Sequence, residues 1–375
     1  MTVGACSASI PAPTTAPSPI PSGVATPSST TLVVGSASAR PTPTAPLPAS
    51  DHFGLVIDRG CSPPGPAPYL RAQDRSDVIV RLGQGYLCQF QGSVSPDGRR
   101  IAYPVFEPNG NGLALWETGA TTSKTLVSLG AEASGTPVWS SDGTALVFVA
   151  TKGGGQGVVP DYSALRTFEL ATGKLAEILR TPERFLSPLA WDRRAHVIAL
   201  ISSAQLAGVV QPFGGEYQVI AQDGVCLPID PCITRNSLPP NTYVTASIDA
   251  TWAVGVTQAE HVVRYWPLAA YADRKVMAPS TGTDFGGYAW RPGAQEFAMY
   301  VVSAAAPPRV ELWGIDGSRR KLTDNFNLSG GGFFWQPDGT VLFYGCCTAI
   351  EVASGRVVTF TLGEGERIKA AAVIR

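Results

Sequence analysis

The residues able to do chemistry are few and scattered. Histidine occurs three times, at His52, His196 and His261, and none has a second imidazole at ligand spacing. Seven cysteines are present, but their spacings match neither a CxxC pair nor a Cys/His zinc pattern, so no metal and no cofactor is expected. A G-x-S-x-G elbow is absent. Gly153-Gly154-Gly155 lacks the Lys-Ser/Thr that a phosphate-binding loop requires. Asp97, Asp142, Asp192 and Asp338 look like carboxylates on offer, yet each stands in a tight turn, where Asp bonds to nearby backbone N–H groups. A catalytic set is therefore not legible, and no catalytic residue is assigned.

Those aspartates belong to a phrase that returns six times. SVSPDGRRIAY (93–103), TPVWSSDGTALVFV (136–149), YAWRPGAQEFAMYV (288–301) and FFWQPDGTVLFYG (333–345) are the clear copies, and LAWDRRAHVIALI (189–201) and SIDATWAVGV (247–256) are worn ones. Val94, Trp139, Trp191, Ile248, Trp290 and Trp335 are read as equivalent. A short apolar strand, a Pro/Asp/Gly turn and a second apolar strand recurring roughly every 40–50 residues predict a β-propeller, one blade per copy. The Trp residues are expected to pack between blades rather than stack on a sugar.

The residues outside the copies predict how the ring closes. Phe53–Ile57, Tyr69–Ala72 and Val78–Leu82 are strand-like but lack an innermost strand, while Ile368–Ile374 is a strand without partners. Joined, they make a seventh blade from one C-terminal and three N-terminal strands, which removes the open edges. Six blades is the alternative, with 52–82 only filling space.

SPDGRRIAY, PVWSSDGTALVF and WQPDGTVLFY resemble the TolB-like, WD40-like β-propeller repeats of bacterial envelope proteins, over roughly 90–365. That resemblance implies a scaffold that mediates protein contacts. A separate N-terminal α/β domain like that of TolB is not evident, so a role in the Tol system is not implied. The repeats do not read S-x-D-x-G-x-x-W, which disfavours a sialidase-like propeller.

Three regions follow: 1–6, 7–50 and the propeller 51–375. Residues 7–50 are Ala, Pro, Ser and Thr with one charge, Arg40, a composition expected to form a disordered, partly polyproline-like tether. Val3-Gly4-Ala5-Cys6 resembles the bacterial lipobox, which implies a lipoprotein anchored through Cys6. A signal peptide's apolar core has no room before it, so the start is expected upstream of Met1 or the leader removed. The remaining six cysteines suit an exported, disulfide-bearing protein. Cys226 and Cys232 flank a short loop and are paired first. Cys61 and Cys88 bracket outer strands of the seventh blade. Cys346 and Cys347 bond each other, or one reaches Cys61. A net charge of −1 with 15% charged residues points away from nucleic acid.

With strands ordered from the axis outward, the second-to-third-strand loops and the links between blades share one face. The long segments 104–112, 152–165, 203–215 and 228–243 are assigned to it, and Tyr162, Phe213 and Tyr217 become its candidate partner anchors. The opposite, short-turn face collects Arg99, Arg100, Arg193, Arg194, Arg291, Arg319, Arg320 and Lys321, expected as solvated turn charges, with docking of an anionic surface as the alternative. The expectation is a non-enzymatic extracytoplasmic binding propeller, a monomer facing an envelope protein or peptidoglycan-associated partner. The alternatives are a lyase or glycan-active enzyme, marked by histidines or acids converging at the channel mouth, and a solute- or glycan-binding module, marked by an aromatic-lined pocket.

Overall fold

The computed structural model describes residues 53–375 except 60–66, 74–76, 84–89, 108–109, 154–158, 204–214, 223–233, 240–241, 258–259, 278–282, 304–305, 325–331 and 345–346. Cys6 and the 7–50 segment lie outside the described residues, as do Cys61, Cys88, Cys226, Cys232, Cys346 and the pairings assigned to them.

Seven antiparallel sheets form seven blades. Blade I runs from Ser93–Val94 through Arg100–Glu107 and Gly110–Glu117 to Lys124–Gly130. In blade II the innermost strand is split into Ala133–Ser134 and Val138–Trp139, both paired to Ala145–Lys152. Blades III to VI begin at the axis with Phe185–Asp192, Thr242–Ala246, Thr283–Trp290 and Phe333–Trp335. Blade VII takes its innermost strand, Arg367–Val373, from the chain's end and the next three, Phe53–Asp58, Tyr69–Ala72 and Val78–Arg81, from its start. The one-plus-three closure is therefore present. Phe53 pairs with Val373 and Asp58 with Arg367.

Apolar clusters fill the gaps between consecutive blades and prove the ring. Val147 and Leu165 of blade II meet Trp191 and Leu200 of blade III. Leu55 and Ile57 of blade VII meet Phe343 of blade VI, and Val56 and Leu70 of blade VII meet Ile101 and Trp116 of blade I. A strand covered on both faces must be apolar throughout, which is why Ala145–Lys152 is buried over its first six residues.

The repeat Trp residues do pack between blades. Trp139 lies against Ala102 and Leu115 of blade I and donates Nε1 to Ser93 O at 3.1 Å. Trp335 repeats this on Ala289 O of blade V, also at 3.1 Å. The sixth copy needs a correction: Ala246, not Ile248, is the equivalent. Ala246 pairs with Ala253 as Trp139 pairs with Leu146, and Ser247 N bonds to Trp252 O as Ser95 N bonds to Arg100 O. Ile248 belongs to the turn, where Ala250 at φ 57° stands where Gly98 has φ 73°. Blade IV offsets its missing indole from the third strand. Trp266 is fully buried with Tyr217 and Tyr271, and a Cβ on Gly255 would come within 3.0 Å of the Trp266 ring.

The turn aspartates are structural. Asp142 accepts from Ser140 Oγ at 2.7 Å and Thr144 N at 3.0 Å, and Asp97 accepts from Ser95 Oγ at 2.5 Å and Arg99 N at 3.0 Å. Burial opposes ionisation at both, but these bonds hold each carboxyl below its ordinary range. The arginines of this face are not simply solvated. The Arg100 guanidinium lies 5.0 Å from the Trp139 ring centre in the next blade. Arg193 reaches back to Thr144 Oγ1 at 2.8 Å and Glu169 at 3.0 Å. Arg291 donates to Gly339 O at 2.8 Å.

Two outcomes follow. Replacing Trp139 by Ala empties the blade I–II seam and is expected to cost about 3–5 kcal/mol in denaturant unfolding, whereas Trp139→Phe loses chiefly the bond to Ser93 O, about 1 kcal/mol. Equal losses would refute the assignment. Because Asp97 and Asp142 titrate lower folded than unfolded, their stabilisation is complete above the unfolded carboxylate range near pH ~4 and is lost as pH falls below it. Thermal midpoints are expected to be flat from about pH 7 to about pH 5 and to drop below ~4, and Asp142→Asn should blunt that drop. An unchanged acid limb in the variant would remove the aspartate from the account.

Candidate functional site

Each innermost strand is paired within its sheet on one side only, so its other edge faces the axis, with some of its backbone groups, such as Ser93 O, Trp191 O and Val373 N, taken up by the neighbouring blade. These edges enclose a channel of ≈ 750 Å³ to which every blade contributes: Val94, Val138, Leu189, Tyr243, Tyr288, Phe334 and Ala370 in ring order. The lining is uncharged. Among the described residues it contains no His, Asp, Glu, Lys or Arg. Pro292 and Pro337 line the short-turn end, where the turns crowd together. Gly98, at φ 73°, leaves no room for a side chain, since a Cβ there would lie 2.6 Å from Pro337.

The two phenols are the channel's distinctive groups. Burial, and secondarily the neighbouring Tyr243, pushes the Tyr288 phenol far above its ordinary range, and burial raises Tyr243 too. Both are therefore neutral hydroxyl donors at any physiological pH. Two features position Tyr288. It sits two residues before the repeat Trp290, and a register shift between Phe285 and Tyr288 bends the strand there. Both tyrosines lie on innermost strands, in YAW (288–290) and TYVTA (242–246), but only some residues of such a strand border the axis, so the phrases alone do not single them out.

The sequence-predicted site residues are not brought together. Tyr217 is wholly buried, packed edge-on to Trp266 at 5.4 Å and donating its hydroxyl to Leu268 O. It is a blade III–IV core residue, not a surface anchor, because it faces the neighbouring blade from the middle of its sheet. Tyr162 is half-buried in a polar network. Its hydroxyl donates to Glu132 at 2.6 Å, Arg166 grips the same carboxylate at 2.6 and 2.9 Å, and Arg180 covers the ring at 4.0 Å. Phe213 lies outside the described residues. His196 and His261 occupy left-handed turn positions at φ 55° and 51° on opposite faces, and neither lines the channel. His52 lies outside the described residues.

The loop-face assignments are revised in three places. Residues 104–107 and 110–112 are strand, not insertion. The segment after Ala221 leads to the strand Thr234–Leu238, which pairs with Gly215–Ala221. It therefore joins third to fourth strand and starts from the short-turn face. The segments 152–165 and 203–215 fall, as expected, between second and third strands of blades II and III, but Lys152, 162–165, Ser203 and Gly215 are strand, so Tyr162 stands on a strand and the links are 153–161 and 204–214. Cys347, half-buried, follows the second strand of blade VI on the loop face.

No family model matches this chain, and no curated protein matches it. Solved structures do. A putative 6-phosphogluconolactonase from Bacteroides fragilis superposes with TM-score 0.52 at 11% identity, over 87% of this chain and 99% of that one. A prolyl endopeptidase superposes with TM-score 0.50 at 14% identity, over 72% of this chain but only 42% of the peptidase. TolB from Acinetobacter baumannii gives 0.45 at 14% identity, over 87% and 68%. What they share with this chain is the propeller fold alone.

Alkaline titration checks the channel directly. Tyr288 should stay protonated through pH ~11, above the ordinary phenol value near 10. Tyr288→Phe is then expected to leave the phenolate absorbance gained up to that pH unchanged. A loss of one tyrosine's worth would mean a channel wetter than described.

Proposed function

We propose that this chain is a non-enzymatic binding propeller whose ligand seat is the central channel, tethered outside the cell by the 7–50 segment and a lipid on Cys6. The observation that carries the reading is the channel lining: seven strand edges, aromatic and small side chains, and two phenols held neutral by burial. A general acid or base working near neutral pH needs a pKa close to it, and burial moves these phenols the other way. Neighbours named as a putative lactonase and as a prolyl endopeptidase show that this fold serves different tasks, so the site itself must decide. A concave, largely apolar cavity with a few convergent polar groups is the chemistry of small-molecule binding.

Phe53 pairs with Val373, and Val373 N bonds to Gly98 O at 2.7 Å, so the chain joins the propeller at the short-turn face. An envelope protein or wall-associated component meeting the loop-rich face is the partner proposed.

The test is native mass spectrometry of the full chain after exposure to an envelope solute extract. A bound mass is expected, released chemically unchanged. Thr245→Arg, which places a long cation in the channel, should abolish it, with a retained cooperative thermal transition showing that the variant still folds. A ligand recovered as a cleaved or rearranged product would replace the binding reading with an enzymatic one.

A further inference from the structure

Three hydroxyls that border the channel, those of Tyr288, Thr136 and Thr245, point to what fills it. Resting on the reading of the channel as a ligand seat, we propose that its ligand is a short uncharged oligosaccharide. The Tyr288 hydroxyl has no hydrogen-bond partner among the described residues, though it lies deep in the channel and burial dominates its surroundings. Thr136 of blade II and Thr245 of blade IV also border the cavity, half-buried, with no side-chain hydrogen bond to the described residues. Neutral hydroxyls thus approach the axis from three blades, II, IV and V, between strand edges that offer further donors and acceptors. Phe334, stacked at 5.0 Å on Phe343, holds a fixed aromatic surface on blade VI beside them.

Three classes of occupant can be compared on this lining. A charged ligand would lose its hydration and find no counter-charge among the described lining residues. A hydrocarbon would strip water from the hydroxyls and the strand edges without replacing its hydrogen bonds. A neutral sugar carries hydroxyls that both donate and accept, as Thr and Tyr hydroxyls do, together with apolar C–H faces that suit Tyr243 and Phe334. The volume of ≈ 750 Å³ falls within the usual range for small-ligand pockets and suits a chain of a few sugar units. The unionised state of Tyr288 matters to this chemistry. A phenolate would accept only, whereas the protonated group donates to a ring or glycosidic oxygen and still accepts from a sugar hydroxyl.

Titration calorimetry on the full chain tests the class. The probes are neutral gluco-, manno- and N-acetylglucosamine tetrasaccharides, a tetragalacturonate and an uncharged tetrapeptide of Gly, Ala and Ser. At least one neutral tetrasaccharide is expected to bind, with tetragalacturonate weaker by about tenfold or more. Tyr288→Phe and Thr136→Val, each close to isosteric, should both weaken the sugar by about tenfold, with thermal midpoints confirming that the variants fold. Binding of the peptide but of no sugar, removed by Thr245→Arg, would overturn the carbohydrate class and leave the channel reading standing. Sugar binding indifferent to both Thr245→Arg and Tyr288→Phe would place the sugar elsewhere and overturn both. Binding of none of the probes, or preference for the galacturonate, overturns the proposal.

Discussion

Everything in this molecule depends on one strand pairing, that of Arg367–Val373 with Phe53–Asp58. Six blades follow one another along the chain, and each buries its faces against its neighbours. The first and last would each present an uncovered apolar sheet if the ring stayed open. Pairing the two chain ends supplies the missing blade and covers both. Leu55 and Ile57 go into the seam with blade VI, and Val56 and Leu70 into the seam with blade I. Polar bonds finish the join. Thr118 Oγ1 donates to Val373 O at 2.6 Å. Glu366 collects Gly363 N at 2.7 Å, Tyr69 at 2.9 Å and Arg59 at 3.2 Å, which holds its carboxyl below the ordinary range although burial opposes this. The fully buried Asp58 takes Phe90 N at 3.0 Å from the link to blade I.

The channel is a consequence of that closure. Seven sheets arranged around an axis leave seven inner edges facing it, whatever their side chains. What this chain adds is a lining that is uncharged among the described residues. Its charged groups are spent elsewhere: arginines on the short-turn face reach across blade seams to rings and carbonyls, and turn aspartates tie their own hairpins. A frame stabilised in this way does not draw on the side chains that border the axis.

Much of the fold was legible because hairpin chemistry is local. Ser140, Asp142 and Gly143 sit within four residues, so the turn they make is written in one short phrase. The same locality explains the errors. In SIDATWAVGV the apolar Ile248 imitates a strand residue, and only the pairing of Ala246 with Ala253 shows that it lies in the turn. Tyr217 looked like a loop-face aromatic because it follows a long insertion. Its burial depends on Trp266 and Tyr271, some fifty residues away in the next blade.

The chain's own order of residues determined the repeat, the turn chemistry and the strands left over at the two ends, since each follows from local backbone preferences and the need to cover apolar strands, while the pairing of those ends settled seven blades over six. Only the tertiary structure decided which side chains border the axis. Tyr243, Tyr288 and Thr136 come from three blades and share a cavity because ring closure sets the radial position of each innermost strand, a relation that no spacing along the chain encodes.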